Sequence, residues 1–181
     1  MRILYLPGNT ANHKEWIDKL AQDTNTALEK DILHYSHWDT GEQVINFGTE
    51  LDRLGKLIKD DEYIVVGKSA GCALGLMAYK KSIINVKNFI FLGFPYLWLE
   101  NLEINPKELL GNIDKQILFI QKPYDPVIPF NDLKNRVENM SNSFTFLEYK
   151  REGEEDNNNN YGDTKYIGDI IIENIDKQSV C

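Results

Sequence analysis

The chain has 181 residues, 42% of them hydrophobic, and a formal net charge of -8. That length suits one domain with an ordinary core, spanning residues 1–181, and leaves little room for a second. The acidic balance speaks against nucleic acid or an anionic membrane surface as partner, since both need clustered Lys and Arg, and two cysteines, Cys72 and Cys181, supply neither a disulfide framework nor metal-ligand spacing.

Ile3 to Leu6 form a short apolar run closed by Pro7-Gly8-Asn9, and Asn12 to Gln22 place Trp16, Ile17, Leu20 and Ala21 at helical spacing. The first run carries no basic region or cleavage site, and no stretch reaches the roughly 18 apolar residues of a membrane helix, so a cytoplasmic location is expected. Asp31 to Tyr35 predicts a second strand. Gln43 to Ile58 repeats apolar positions at Val44, Phe47, Leu51, Leu54, Leu57 and Ile58, the stripe of an amphipathic helix. The pattern then recurs: strand at Tyr63 to Val66, helix at Ser69 to Tyr79, strand at Phe89 to Leu92. A fifth strand at Gln116 to Ile120, a helix near Phe130 to Met140, a sixth strand within Ser143 to Tyr149 and a helix from about Tyr161 to Ile175 complete the chain. Apolar strands alternating with amphipathic helices predict a mostly parallel sheet covered on both faces, a three-layer α/β/α sandwich. Sites in such sheets lie in loops at the C-terminal strand ends.

Gly67-Lys68-Ser69-Ala70-Gly71 follows Ile64-Val65-Val66 and opens a helix, so Gly-x-Ser-x-Gly stands in a strand-turn-helix context. Small residues are needed at both ends because the two backbones nearly touch, and the turn lifts the serine oxygen beside the positive end of the helix dipole. A generic helix cap is the competing reading. A phosphate loop is not, since Glu62 occupies the place of its first glycine. Asp125, in Lys122-Pro123-Tyr124-Asp125-Pro126-Val127-Ile128-Pro129, follows the fifth strand; it is either a turn residue or a carboxylate that orients a base. With Ser69 upstream, the second reading gains.

With these motifs the chain resembles the α/β-hydrolase superfamily, particularly its short, lidless serine-hydrolase branch that includes the retinoblastoma-binding protein 9-like proteins. Leu4-Tyr5-Leu6-Pro7-Gly8-Asn9 is similar to the family's first strand and oxyanion loop, Gly67 to Gly71 to its nucleophile elbow, and Asp125 to Pro129 to its acid loop. The resemblance implies about six strands in the order 2-1-3-4-5-6, Ser69 as nucleophile, Asp125 as triad acid, and backbone N–H groups of Ala70 and Asn9 as the oxyanion hole. It implies a small-molecule ester, thioester or amide as substrate; with only three histidines, none in a ligand-like pair on a helix, no metal and no cofactor are expected.

One member of the triad departs from the family pattern. No histidine follows His37, and the loop in which the family carries one reads Glu154-Glu155-Asp156-Asn157-Asn158-Asn159-Asn160. The resemblance puts the histidine position at Asn159 or a neighbouring Asn. An amide is not a usable base near neutral pH, and loss of a triad histidine costs on the order of 10⁶ in turnover. An asparagine there implies an inactive, binding-only member, a replaced base, or service by another histidine: His13, His34 or His37. Tyr35, His37, Trp38 and the segment Phe94 to Trp98 are candidates for either pocket lining or packing. With no segment long enough for a lid, an open site is expected.

Overall fold

The computed structural model describes residues 1–178; Cys181 lies outside the described residues. Six strands form one sheet: β1 (Arg2–Leu6), β2 (Glu29–Ile32), β3 (Glu62–Lys68), β4 (Asn85–Leu92), β5 (Gln116–Gln121) and β6 (Phe144–Glu148). Every neighbouring pair is parallel and the order is β2-β1-β3-β4-β5-β6. The helices are α1 (His13–Asp23), α2 (His37–Thr40), α3 (Phe47–Leu57), α4 (Ala70–Lys80), α5 (Tyr96–Asn101), α6 (Pro106–Leu110), α7 (Phe130–Val137) and α8 (Thr164–Gln178).

Alternation along the strands divides the core in two. Leu4, Leu6, Val65, Phe89, Phe91 and Phe119 pack with residues of α3, α4 and α7 on one face. Ile3, Tyr5, Ile64, Val66, Ile90, Leu92 and Ile120 meet Ile17 and Leu20 of α1 and Ile167 and Ile171 of α8 on the other. Lys68 continues the row of Ile64 and Val66, so its side chain enters the α1/α8 layer at the C-terminal edge of the sheet.

The boundaries depart from the sequence pattern in instructive places. The second strand begins two residues before the expected Asp31, because the Arg2 guanidinium binds Asp31 and Glu29 and draws this charged stretch into the ladder. Leu33 and Tyr35, the apolar residues that suggested a later strand, are buried beyond its end, where the Tyr35 hydroxyl donates to the Pro7 carbonyl at 2.8 Å. The expected helix over Gln43 to Ile58 starts only at Phe47, where the Asn46 side chain accepts the Thr49 N–H. The segment from Phe94 to Trp98, a candidate for pocket lining or packing, enters α5, with Phe94 and Tyr96 in the core and Trp98 packed against it. Among the described residues no helix is long and apolar enough to cross a membrane.

Candidate active site

The turn between β3 and α4 is as tight as its sequence demands. A Cβ at Gly67 would lie 2.8 Å from the Cys72 nitrogen and 2.9 Å from its Cα, and one at Gly71 would overlap the Leu6 carbonyl and stand 2.7 Å from the Pro7 oxygen. Between them Ser69 takes φ 49° and ψ -116°, a conformation that costs a non-glycine residue roughly 1–3 kcal/mol. Its N–H donates to the Leu92 carbonyl at 3.0 Å and its carbonyl accepts from the Cys72 N–H at 2.9 Å, so the strain is held by backbone bonds on both sides. The hydroxyl, on a half-buried residue, has no hydrogen-bond partner among the described residues.

Asn9 lies in the loop between β1 and α1, and its surroundings fix the local peptide planes. Its carbonyl accepts from His37 Nε2 at 2.7 Å and Trp38 Nε1 at 2.9 Å. Its side chain donates to the Gln43 carbonyl and accepts from the Ile45 N–H. The backbone N–H groups of Asn9 and Ala70 have no acceptor among the described residues, and a helix N-terminus leaves such donors free for an anion. Asn9, His37 and Trp38 also line an open cleft of about 410 Å³ with Thr10, Ala11 and Gln43.

Asp125 is 1% exposed in the loop after β5. Its Oδ1 accepts from the Val127 N–H at 2.9 Å and its Oδ2 from the Tyr161 hydroxyl at 3.1 Å. Burial raises its carboxyl above the usual aspartate range, opposed by these bonds and by the Lys68 charge. Gly93, at φ 59° where β4 ends, leaves room for this pair; a Cβ there would stand 3.1 Å from the Tyr161 ring and 3.5 Å from Asp125 Oδ2. The Tyr161 hydroxyl also accepts the Lys122 N–H at 3.2 Å, and burial followed by the Asp125 charge pushes its own proton loss well up.

Asn159 is exposed and makes no hydrogen bond to Asp125. It lies on the rim of a second open cleft of about 430 Å³, facing Thr10, Asn12, His13 and Trp16. The loop residue that reaches Asp125 is Tyr161, two positions on. None of the three histidines reaches it either. His34 pairs with Asp18 on the surface, and His37 is spent on the Asn9 carbonyl. His13 Nε2 stands 3.0 Å from Lys68 Nζ, and its Nδ1 3.1 Å from the Thr10 hydroxyl. Because an ammonium only donates, Nε2 accepts and the ring proton sits on Nδ1. Burial, aided by the Lys68 charge, lowers His13 to about 4.

Two buried lysines, invisible as site residues in the sequence, border this cluster. Lys122, 1% exposed, donates to the Glu155 carbonyl at 2.6 Å and Asn158 Oδ1 at 3.0 Å and pairs with Glu154 at 3.4 Å. Lys68, equally buried, has one acceptor among the described residues, His13 Nε2, and lies 5.9 Å from the centre of the Trp16 ring and 5.7 Å from that of Tyr161. Burial lowers it to about 8, with Lys122 adding to the effect and Asp125 and Cys72 opposing it. Trp16 completes the frame by donating to the Tyr161 carbonyl at 2.6 Å. Only the position of Lys68 between the two motif glycines' strand end and Ser69 could have marked it. Among the described residues no group of three or more His, Cys, Asp or Glu is placed to hold a metal ion.

The architecture is shared with solved structures of the α/β-hydrolase superfamily. A protein of that superfamily from Xanthomonas campestris pv. campestris superposes with TM-score 0.66 at 12% identity, covering 97% of each chain. A hydrolase-assigned protein from Agrobacterium vitis S4 gives 0.63 at 14% identity over 95% of this chain and 87% of its own. A pyrethroid hydrolase gives 0.64 at 12% identity over 100% and 99%. At such identity the likeness is one of fold. No family model and no curated protein sequence matches the chain.

Proposed function

We propose that the protein is a serine hydrolase-like enzyme of the short, lidless kind, acting on a small ester, thioester or amide through Ser69. The observation that carries this reading is the strained Ser69 backbone, φ 49° and ψ -116°, locked between glycines that admit no side chain. A generic helix cap has no need of that cost, whereas a nucleophile raised clear of the sheet does.

In this reading Ser69 Oγ attacks the carbonyl carbon and the backbone N–H groups of Ala70 and Asn9 receive the developing oxyanion. Asp125 supplies the buried negative charge that stabilises a cation formed nearby when the serine proton is taken. Collapse of the tetrahedral intermediate expels the alcohol, thiol or amine and leaves an acyl-Ser69. Without an imidazole on Asp125, both halves of the reaction run far more slowly than in a complete Ser-His-Asp triad.

A second reading, a binding protein that keeps the pocket and turns nothing over, draws on the Tyr161 hydroxyl that already occupies Asp125 Oδ2. Intact-mass detection of covalent labelling by a fluorophosphonate separates the two. The hydrolase reading expects one adduct per chain, absent in Ser69→Ala; an unlabelled protein, or labelling that survives Ser69→Ala, leaves the binding reading.

A further inference from the structure

We propose that the Lys68 amine, held at His13 Nε2 between the rings of Trp16 and Tyr161 and one residue before the nucleophile, takes the Ser69 proton in place of the missing imidazole. The inference rests on Ser69 being the nucleophile.

Of the polar side chains around Asp125, Lys68 is the one with capacity to spare. Lys122 has acceptors on Glu155, Asn158 and Glu154. The Tyr161 proton is committed to Asp125, and His13 has both ring nitrogens engaged. Lys68 has a single acceptor, so its neutral amine can give one N–H to His13 and keep its lone pair free. The groups facing it are His13 and Trp16 from α1, Tyr161 from the loop before α8, Asp125 and Lys122 from the region after β5, and Cys72 from α4. Burial, with the Lys122 charge adding to it and Asp125 and Cys72 opposing it, holds the amine near 8, where a neutral fraction exists at physiological pH and the proton-transfer driving force is still useful. His13, packed on Gly8 so closely that a Cβ there would meet its ring at 2.6 Å, ties the amine to the loop that carries Asn9.

The proton leaves Ser69 Oγ for Lys68 Nζ, directly or across one water, as Oγ bonds the carbonyl carbon. The ammonium returns it to the leaving oxygen, sulfur or nitrogen as that bond breaks. In the second half the amine takes a proton from the attacking water and hands it to Ser69 Oγ as the acyl group departs. Asp125 stabilises the transient ammonium through space.

The test is the rate of fluorophosphonate labelling at Ser69 from pH 5.5 to 9.5, in the unaltered protein, Lys68→Met, Lys68→Arg and Ser69→Ala, with thermal melts for each. The expected rate rises with a midpoint near 8 and falls at least about 100-fold in both lysine variants, since arginine keeps the charge but holds its proton. Retained rate in Lys68→Arg would show that charge alone is needed and overturn the proposal. So would unchanged rate and midpoint in both lysine variants, with the Ser69 reading intact. If both variants unfold, the midpoint of the unaltered protein decides, and a rate with no midpoint near 8 overturns it. Labelling that does not depend on Ser69 removes the nucleophile and the base together.

Discussion

The Tyr161 hydroxyl donates to Asp125 Oδ2 at 3.1 Å while accepting the Lys122 N–H at 3.2 Å. A phenol thus sits on a buried carboxylate in the loop after β5. Tyr161→Phe leaves a buried carboxylate oxygen and a backbone N–H without this partner, and should cost about 1–3 kcal/mol of unfolding free energy in urea titrations. Tyr161→His brings an imidazole to the same carboxylate and should accelerate fluorophosphonate labelling. Asn159→His, on an exposed rim position with no hydrogen bond to Asp125, should give no comparable gain.

His13 should make the protein sensitive to mild acid. Its folded value, about 4, lies below the ordinary 6.5, so between these limits the unfolded chain binds the proton more tightly and stability falls as pH drops. The loss is at most about 3 kcal/mol from pH 6.5 to 4, allowing 1.36 kcal/mol per unit. Asp125 acts with the opposite sign, because its raised value makes the folded state hold the proton better and stability fall as pH rises above the unfolded value. His13→Gln, which keeps an acceptor for Lys68, isolates the histidine: the difference between the two proteins should slope between pH 4 and 6.5 and flatten above it.

Gly71 is where the elbow meets β1, and an added methyl would strike the Leu6 carbonyl and stand 2.7 Å from the Pro7 oxygen. Both are backbone atoms and cannot rotate away. Gly71→Ala should therefore lower stability by at least about 3 kcal/mol. Any folded fraction should label more slowly, since relief comes only by displacing the loop that bears Asn9. Denaturant titration and labelling rate measure the two effects separately.

The tight turn at Ser69 was legible in the sequence because it is local. Strand, Gly-x-Ser-x-Gly and helix run without a break from Glu62 to Lys80, and the steric demand of the turn is written in Gly67 and Gly71 themselves. The parallel sheet was legible for a related reason, since apolar strands between amphipathic helices leave few other ways to bury both faces. The partner of Asp125 was not. Asp125 and Tyr161 are 36 residues apart, and which residue of an Asn-rich loop turns inward depends on Trp16 seizing the Tyr161 carbonyl and on Lys122 gathering Glu154, Glu155 and Asn158. Lys68 was equally opaque: a lysine inside a motif reads as solvent-facing until the Ile64 and Val66 row is seen to point it into the α1/α8 layer.

The strain at Ser69 yields a prediction that separates stability from reactivity. At φ 49° and ψ -116° a glycine is at ease, whereas a serine pays roughly 1–3 kcal/mol. Ser69→Gly relieves that penalty but frees the unfolded chain by roughly 0.5–1 kcal/mol, so a net gain of about 1 kcal/mol is expected. Ser69→Ala keeps the Cβ and the strain, and should be near the unaltered protein in stability while losing the same hydroxyl. Urea midpoints for the three proteins give the comparison. A glycine variant more stable than the alanine one means that the turn holds its serine against the local backbone preference, a cost that selection for the hydroxyl explains and helix capping does not. Equal stabilities would mean that the surrounding bonds from Leu92 and Cys72 impose the turn without penalty.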